Sequence, residues 1–194
     1  MADHVEIDDA PPTTSKRDDA LHRARDTIVD AQGDTVVGRS VTINRPASEL
    51  YGYWRDFGNL ATFMENIERI DVLDRERSHW VVKAPAGRSV EWKARVTEDE
   101  PGRVIGWTTE EGADVPNSGR VEFREAGARG TIVTATLTYD APLGTVGKIV
   151  AKLFQREPAI QARRDLRRFK QLMETGEIAV AANTRAKALE EGKQ

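Results

Sequence analysis

EPAIQARRDLRRFKQLMET, residues 157–175, reads as a single long helix. Pro158 stands where a first-turn proline is tolerated, because the N–H it lacks would have had no partner inside the helix. Gly176 follows the last periodic residue, where a left-handed cap is inexpensive. Between these signals Ala162, Leu166, Phe169 and Met173 recur at spacings of 4, 3 and 4, which puts them on one face. Arg163, Arg164, Arg167 and Lys170 fall mostly outside that stripe and are expected to meet water. A helix with one apolar stripe needs a partner to cover it. Almost everything before it reads as strand, so the expected partner is a sheet.

Upstream, the strands are legible from alternation. Thr35 begins a first strand, VVGRSVTIN, and Arg45-Pro46-Ala47-Ser48 starts a short helix over about 47–55 with Leu50, Tyr51 and Trp54. Asp56-Phe57-Gly58-Asn59 breaks it, and Leu60 to Met64 reads as a second helical turn. Ile67–Asp74 and Ser78–Ala84 read as strands, the latter with Trp80 and Val82 on one face and His79, Val81 and Lys83 on the other. Ala84-Pro85-Ala86-Gly87 turns the chain. Val90, Trp92, Ala94 and Val96 then alternate inward, with Glu91, Lys93 and Arg95 outward. Pro101-Gly102 turns into 103–109, with Ile105 and Trp107 on one face. Strand 119–125 places Val121 and Phe123 inward, and 131–139 places Val133, Ala135, Leu137 and Tyr139 inward. Turns this short predict an antiparallel meander. The predicted order is strand, two short helices, about six strands, one long helix.

Composition narrows the function. In 194 residues, 39% are hydrophobic and 31% charged; the net charge is −3 and the pI about 5.7, which does not suggest a general nucleic-acid binder. With no cysteine there is no disulfide framework, thiolate nucleophile or cysteine-type zinc site. Residues 1–34 carry nine acidic side chains and Pro11-Pro12 with few large apolar groups, and are expected to be mostly disordered; Asp18–Ala31 could form a weak helix. The start, MADHVEIDDAPPTTSK, lacks the basic and apolar regions of a signal peptide, so the chain reads as cytoplasmic. The expected organisation is an acidic leader over 1–34, one domain over 35–179 and a charged tail over 180–194.

The order of elements resembles the α+β helix-grip fold of the START/Bet v 1-like (SRPBCC) superfamily, a curved antiparallel sheet around a long C-terminal helix. The residues are similar to the bacterial polyketide cyclase/dehydrase and lipid transport group. They are Tyr53-Trp54-Arg55-Asp56-Phe57-Gly58-Asn59-Leu60 with Phe63-Met64, Ser78-His79-Trp80, Pro85-Ala86-Gly87 and Val90-Glu91-Trp92. Pro101-Gly102, Ile105-Gly106-Trp107, Gly130-Thr131, Asp165 to Lys170 and Glu174 to Ile178 complete the set. The resemblance covers about 36–179. It implies an apolar cavity between helix and sheet, but no single activity; branches include coenzyme Q-binding proteins, hormone and lipid carriers, and aromatase/cyclases.

The candidate lining of such a cavity is aromatic: Trp54, Phe57 and Phe63 from the short helices, Trp80, Trp92, Trp107, Phe123 and Tyr139 from strands, Phe169 and Met173 from the long helix. These side chains either fill the interior or line a pocket, and bulky tryptophans predict a small one. Leu143 to Phe154 has an apolar face of Val146, Ile149, Val150 and Leu153 with Lys148 and Lys152 opposite, and reads as a connector or a lid. Catalysis has little support. Of three histidines, His4 and His22 lie in the leader and His79 on an outward strand face. Asp56 is expected to cap a helix and Asp165 to pair with an arginine. Tyr139, Tyr51 and the indole N–H groups are the polar groups placed inward. The arginines of the long helix read as a solvated face. The expected function is binding or transport of a small hydrophobic ligand (lipid, quinone or polyketide-like) without cofactor or metal and with at most peripheral membrane contact; the oligomeric state is open. The alternatives are a cyclase/dehydrase-type enzyme and a filled-core interaction scaffold.

Overall fold

The computed structural model describes residues 35–84, 87–139 and 158–178, with the side chains of 35–37, 139 and 158–160 outside the description. Seven antiparallel strands form one curled sheet: β1 (Thr35–Ile43), β2 (Ile67–Val72), β3 (Arg77–Ala84), β4 (Arg88–Glu100), β5 (Val104–Thr109), β6 (Asn117–Glu125) and β7 (Thr131–Tyr139). Their spatial order is β1-β7-β6-β5-β4-β3-β2. The meander of sequence neighbours therefore runs from β2 to β7, and β1 joins its far side. Helix α1 (Ala47–Arg55), two 3-10 helices (Phe57–Thr62 and Gly127–Arg129) and the long helix α2 (Pro158–Thr175) complete the described fold. The expected helix-grip architecture is what the chain forms.

Because β1 and β2 are the two sheet edges, the segment joining them must cross the open side of the curl. Helix α1 does this with Leu50 and Trp54 buried one turn apart. Glu49 in its first turn and Arg55 in its last complement the helix dipole. The second helix is 3-10 and begins at Phe57, three residues before the expected Leu60. The reason is packing: Phe57 and Leu60 are both buried, so the chain must turn inward again straight after Asp56. Asp56 occupies the junction without the expected side-chain cap.

Strand β4 runs to Glu100, beyond the expected Val96, because a register shift between Val96 and Glu98 lets it keep pairing with β5. Gly102, in the turn after β4, has a φ of 72°, which suits glycine.

Helix α2 bridges the two edges. On the β1 side Lys170 Nζ donates to the Thr42 carbonyl (2.6 Å), and Glu174 Oε1 accepts from the Asn44 amide (2.7 Å). On the β2 side Arg164 (3.7 Å) and Arg168 ion-pair with Glu65. Leu166 and Phe169 are buried between, and Gly176 ends the helix at φ 79° with its amide on the Leu172 carbonyl (2.8 Å). Arg163 and Lys170, expected in water, are both half-buried, and Lys170 is so because it reaches the Thr42 carbonyl of β1. The leader, Leu143–Phe154 and the tail lie outside the described residues.

Candidate functional site

The interior closes completely at one end. Phe63 and Phe169 have no exposure and their rings lie 4.8 Å apart. Trp54 meets Phe169 edge-on at 5.1 Å and Phe63 at 5.3 Å. Phe123 reaches this group through Trp54 (6.4 Å) and Tyr51 (6.0 Å). Such offset and edge-to-face pairs add roughly 0.5–1.5 kcal/mol each beyond the area they bury. Trp54, Phe63, Phe123 and Phe169 thus pack against one another, with half-buried Met173 against the same core.

Tyr51, expected inward, turns its hydroxyl to Asp99, which also accepts from Arg55 Nε (3.0 Å). Burial and the Asp99 carboxylate push the Tyr51 hydroxyl up to about 12. It is a tie between α1 and β4.

Farther along the same inward face the closure fails. On β5, Ile105 is fully buried, yet Trp107, two residues on and on the same face, is half-exposed. On β7, Val133 is fully buried while Ala135 and Leu137 retain access. Strands paired on both sides should be well covered, so their access marks space above the sheet that no described residue fills.

Gly119 shapes its floor. It pairs with Trp107 across β5 and β6, and a Cβ there would sit 2.1 Å from the indole Cζ2. Trp107 therefore lies flat on β6 instead of standing into the interior. Nearby, Trp80 and Trp92 stack at 6.4 Å with planes 13° apart, and Trp80 Nε1 donates to Ser78 Oγ (2.8 Å). Phe57 packs on Trp80 at 6.1 Å. The structure thus distributes the aromatic candidates between two ends. The side chain of Tyr139 lies outside the described residues.

Two polar residues escape a simple reading of the sequence. Asp165, expected to pair with an arginine, accepts instead from Gln161 Nε2 one turn earlier (2.8 Å). Burial pushes its carboxyl up to about 7, with the Glu65 carboxylate adding to the effect and Gln161 and Arg168 opposing it. It flanks the apolar stripe on the side of α2 that faces β2. Arg39 shares the inward parity of Val41 and Ile43 and is half-buried. The signal was there in β1, where a charged residue stands at an inward position of the alternation. His79 is held on the outer face between Asp71 (3.4 Å) and Glu91 (2.9 Å), only 23% exposed.

Among the described residues no helix is long and apolar enough to cross a membrane, and no cluster of His, Cys, Asp or Glu could hold a metal ion. An open depression of about 560 Å³ lies outside the sheet, between the start of α1 and the β6–β7 turn, where Arg45, Glu49 and Glu125 border it. None of the aromatic residues above lines it.

A curled sheet gripping one helix over a partly accessible apolar interior defines a START-like domain. The match can be made finer: residues 43–167 fit the family model described as polyketide cyclase/dehydrase and lipid transport, and the chain belongs to that family. A relative from Streptomyces lincolnensis, an uncharacterized 17.2 kDa protein in the melC2-rnhH intergenic region, is 30% identical over 139 residues, 71% of this chain and 89% of its own. The crystal structure of DR_A0006 from Deinococcus radiodurans is similar at 45% identity and a TM-score of 0.60, over 74% of this chain and all of that one. The ZhuI aromatase/cyclase from Streptomyces sp. R1128 shares the fold at 18% identity and a TM-score of 0.58, over 75% and 99% of the two chains.

Proposed function

We propose that the chain binds a small, largely apolar molecule between the sheet and the first half of α2, against Trp92, Trp107, Ala135 and Leu137. The observation that carries this is the change in closure along single strands, from Ile105 to Trp107 and from Val133 to Ala135 and Leu137. A core made only to be filled would close over its central strands first. Flat indole faces beside small and aliphatic side chains suit a ring system or an acyl chain, the lining common to ligand pockets. The family description, with lipid transport in it, agrees with such a ligand.

Native mass spectrometry of the purified protein, followed by solvent extraction, tests the reading. A retained mass in the lipid or quinone range is expected, and Ala135→Phe should abolish retention while the fold survives. A clean apo mass, with no thermal shift against lipids, quinones and polycyclic aromatics, would sink it.

Cyclase/dehydrase chemistry on such a ligand is a second reading, favoured by one observation. Asp165 carries a carboxyl that exchanges its proton near neutrality, the range in which general acid–base groups work. Turnover of a poly-β-ketone substrate by the wild type but not by Asp165→Asn would establish it.

A further inference from the structure

Six arginines among the described residues are half-buried: Arg39, Arg45, Arg55, Arg120, Arg163 and Arg168. Four meet a carboxylate: Arg45 with Glu49 (3.4 Å), Arg55 with Asp99 (3.0 Å), Arg120 with Glu98 (2.8 Å), and Arg168 with Glu65. Arg39 and Arg163 meet none among the described residues. Arg39 donates only to its neighbour's carbonyl, at Gly38 (2.6 Å), and Arg163 Nε is buried with no hydrogen-bond partner. A guanidinium drawn partly out of water without a counter-charge bears a desolvation cost that nothing offsets. Its fork of donors fits a carboxylate or a phosphate.

The register brings the two together. The contacts Lys170–Thr42 and Glu174–Asn44 are separated by four residues of helix and two of strand. These are about 6 Å and 6.6 Å of rise, so α2 and β1 advance in step. Seven residues back from Lys170 is Arg163, about 10.5 Å along the helix, close to the ~10 Å that separates Thr42 from Arg39 on the strand. Steps of four and seven residues keep Arg163, Lys170 and Glu174 on one flank of α2, the flank that faces β1. Arg39 points to that side, and its cross-strand partner is Ala135. Ala135, ending at a methyl, fills little of the space beside Arg39.

We infer that Arg39 and Arg163 hold the anionic group, a carboxylate or phosphate, of an amphiphile whose apolar body lies along Trp107, Ala135 and Leu137. This rests on the binding reading above and narrows it from apolar molecules in general to anionic amphiphiles. A neutral alcohol of the same chain length gains nothing from the pair.

Calorimetric titration of the full chain with dodecanoate, dodecanol and inorganic phosphate separates the possibilities, using the wild type, Arg39→Gln, Arg163→Gln and Arg163→Lys. Circular dichroism first establishes that each variant is folded. Dodecanoate is expected to bind about tenfold or more tightly than dodecanol, the difference a charged hydrogen bond supplies. Each glutamine variant should lose about that factor for dodecanoate and stay within about twofold for dodecanol. Arg163→Lys, which keeps the charge but not the fork, should fall between. Equal binding of dodecanoate and dodecanol, indifferent to the arginines, overturns the arginine site and leaves the pocket standing. Failure of all three to bind overturns site and pocket together. Phosphate that binds alone, is lost in the glutamine variants and is not accompanied by dodecanoate keeps the anion site but overturns the amphiphile.

Discussion

The two ends of the interior are lined by the same kinds of side chain but differ in closure. At the α1 end Trp54, Phe63 and Phe169 approach edge and face at about 5 Å, and all three are buried. At the other end Trp107 lies flat on Gly119, and Ala135 and Leu137 leave space. Aromatic content therefore says little about where a ligand fits. Orientation decides it: a ring whose edge meets another ring fills volume, whereas a ring laid on a glycine leaves volume above it. One end serves stability and the other is free to serve binding.

The sharpest way to break this comparison is Phe169→Ala against Leu137→Ala. Phe169 is fully buried against three other rings, so its removal should cost about 3–5 kcal/mol. Leu137 keeps solvent access and should cost less than about 2 kcal/mol. Urea unfolding of both variants gives the difference directly. Equal losses would mean that both ends are ordinary core.

Asp165 supplies the next effect. Its carboxyl is raised from the ordinary 3.8 to about 7, so the folded state holds its proton after the unfolded chain has released it. Stability from this group is therefore fully present below pH 4 and lost as pH rises through about 7. At about 1.4 kcal/mol per unit, the ceiling is on the order of 4 kcal/mol, and a gain of about half that is expected for Asp165→Asn at pH 8. The asparagine keeps the Gln161 contact without the buried charge. Urea midpoints at pH 4.5 and pH 8 should converge in the variant relative to wild type. An unchanged slope between those pH values would show that Asp165 ionises freely in the folded protein.

Gly119→Ala probes the floor itself. The new Cβ would meet the Trp107 ring well inside contact distance, and forcing a packed ring aside costs typically about 1–3 kcal/mol. Trp107→Leu in the same chain should recover much of the loss, with a coupling energy in a double-mutant cycle. If Gly119→Ala is neutral alone, Trp107 does not lie on β6, and the flat floor is lost as an explanation of the accessible end.

The helix grip was legible because its signals are local. Pro158, Gly176 and the stripe from Ala162 to Met173 define α2, and strict alternation defines β4 and β7. The aromatic candidates were legible as inward but not as filling or lining, because that depends on ring orientation and on what faces each ring across the sheet. Trp107 on Gly119 is a cross-strand relation between residues 12 apart in sequence, and alternation in either strand alone does not contain it. Asp165 was misjudged for a related reason. Four arginines lie within three residues of it, yet two of them, Arg164 and Arg168, reach past it to Glu65, on a different element.

That last arrangement gives the smallest and most discriminating test. Glu65→Gln removes the carboxylate that Arg164 and Arg168 share, and partly exposed ion pairs of this kind contribute within about 1 kcal/mol. The loss at neutral pH should be correspondingly slight. The same carboxylate, however, is one of the charges that hold the Asp165 titration up. Removing it also releases Arg168 from its partner, beside a group that Arg168 already favours in its ionised form. Both changes act in one direction. The pH at which the loss of stability levels off should therefore move downward in Glu65→Gln, even though the midpoint at neutral pH scarcely changes. A variant that loses stability uniformly across pH would instead make Glu65 a simple strut between α2 and β2, with no electrical connection to the accessible end.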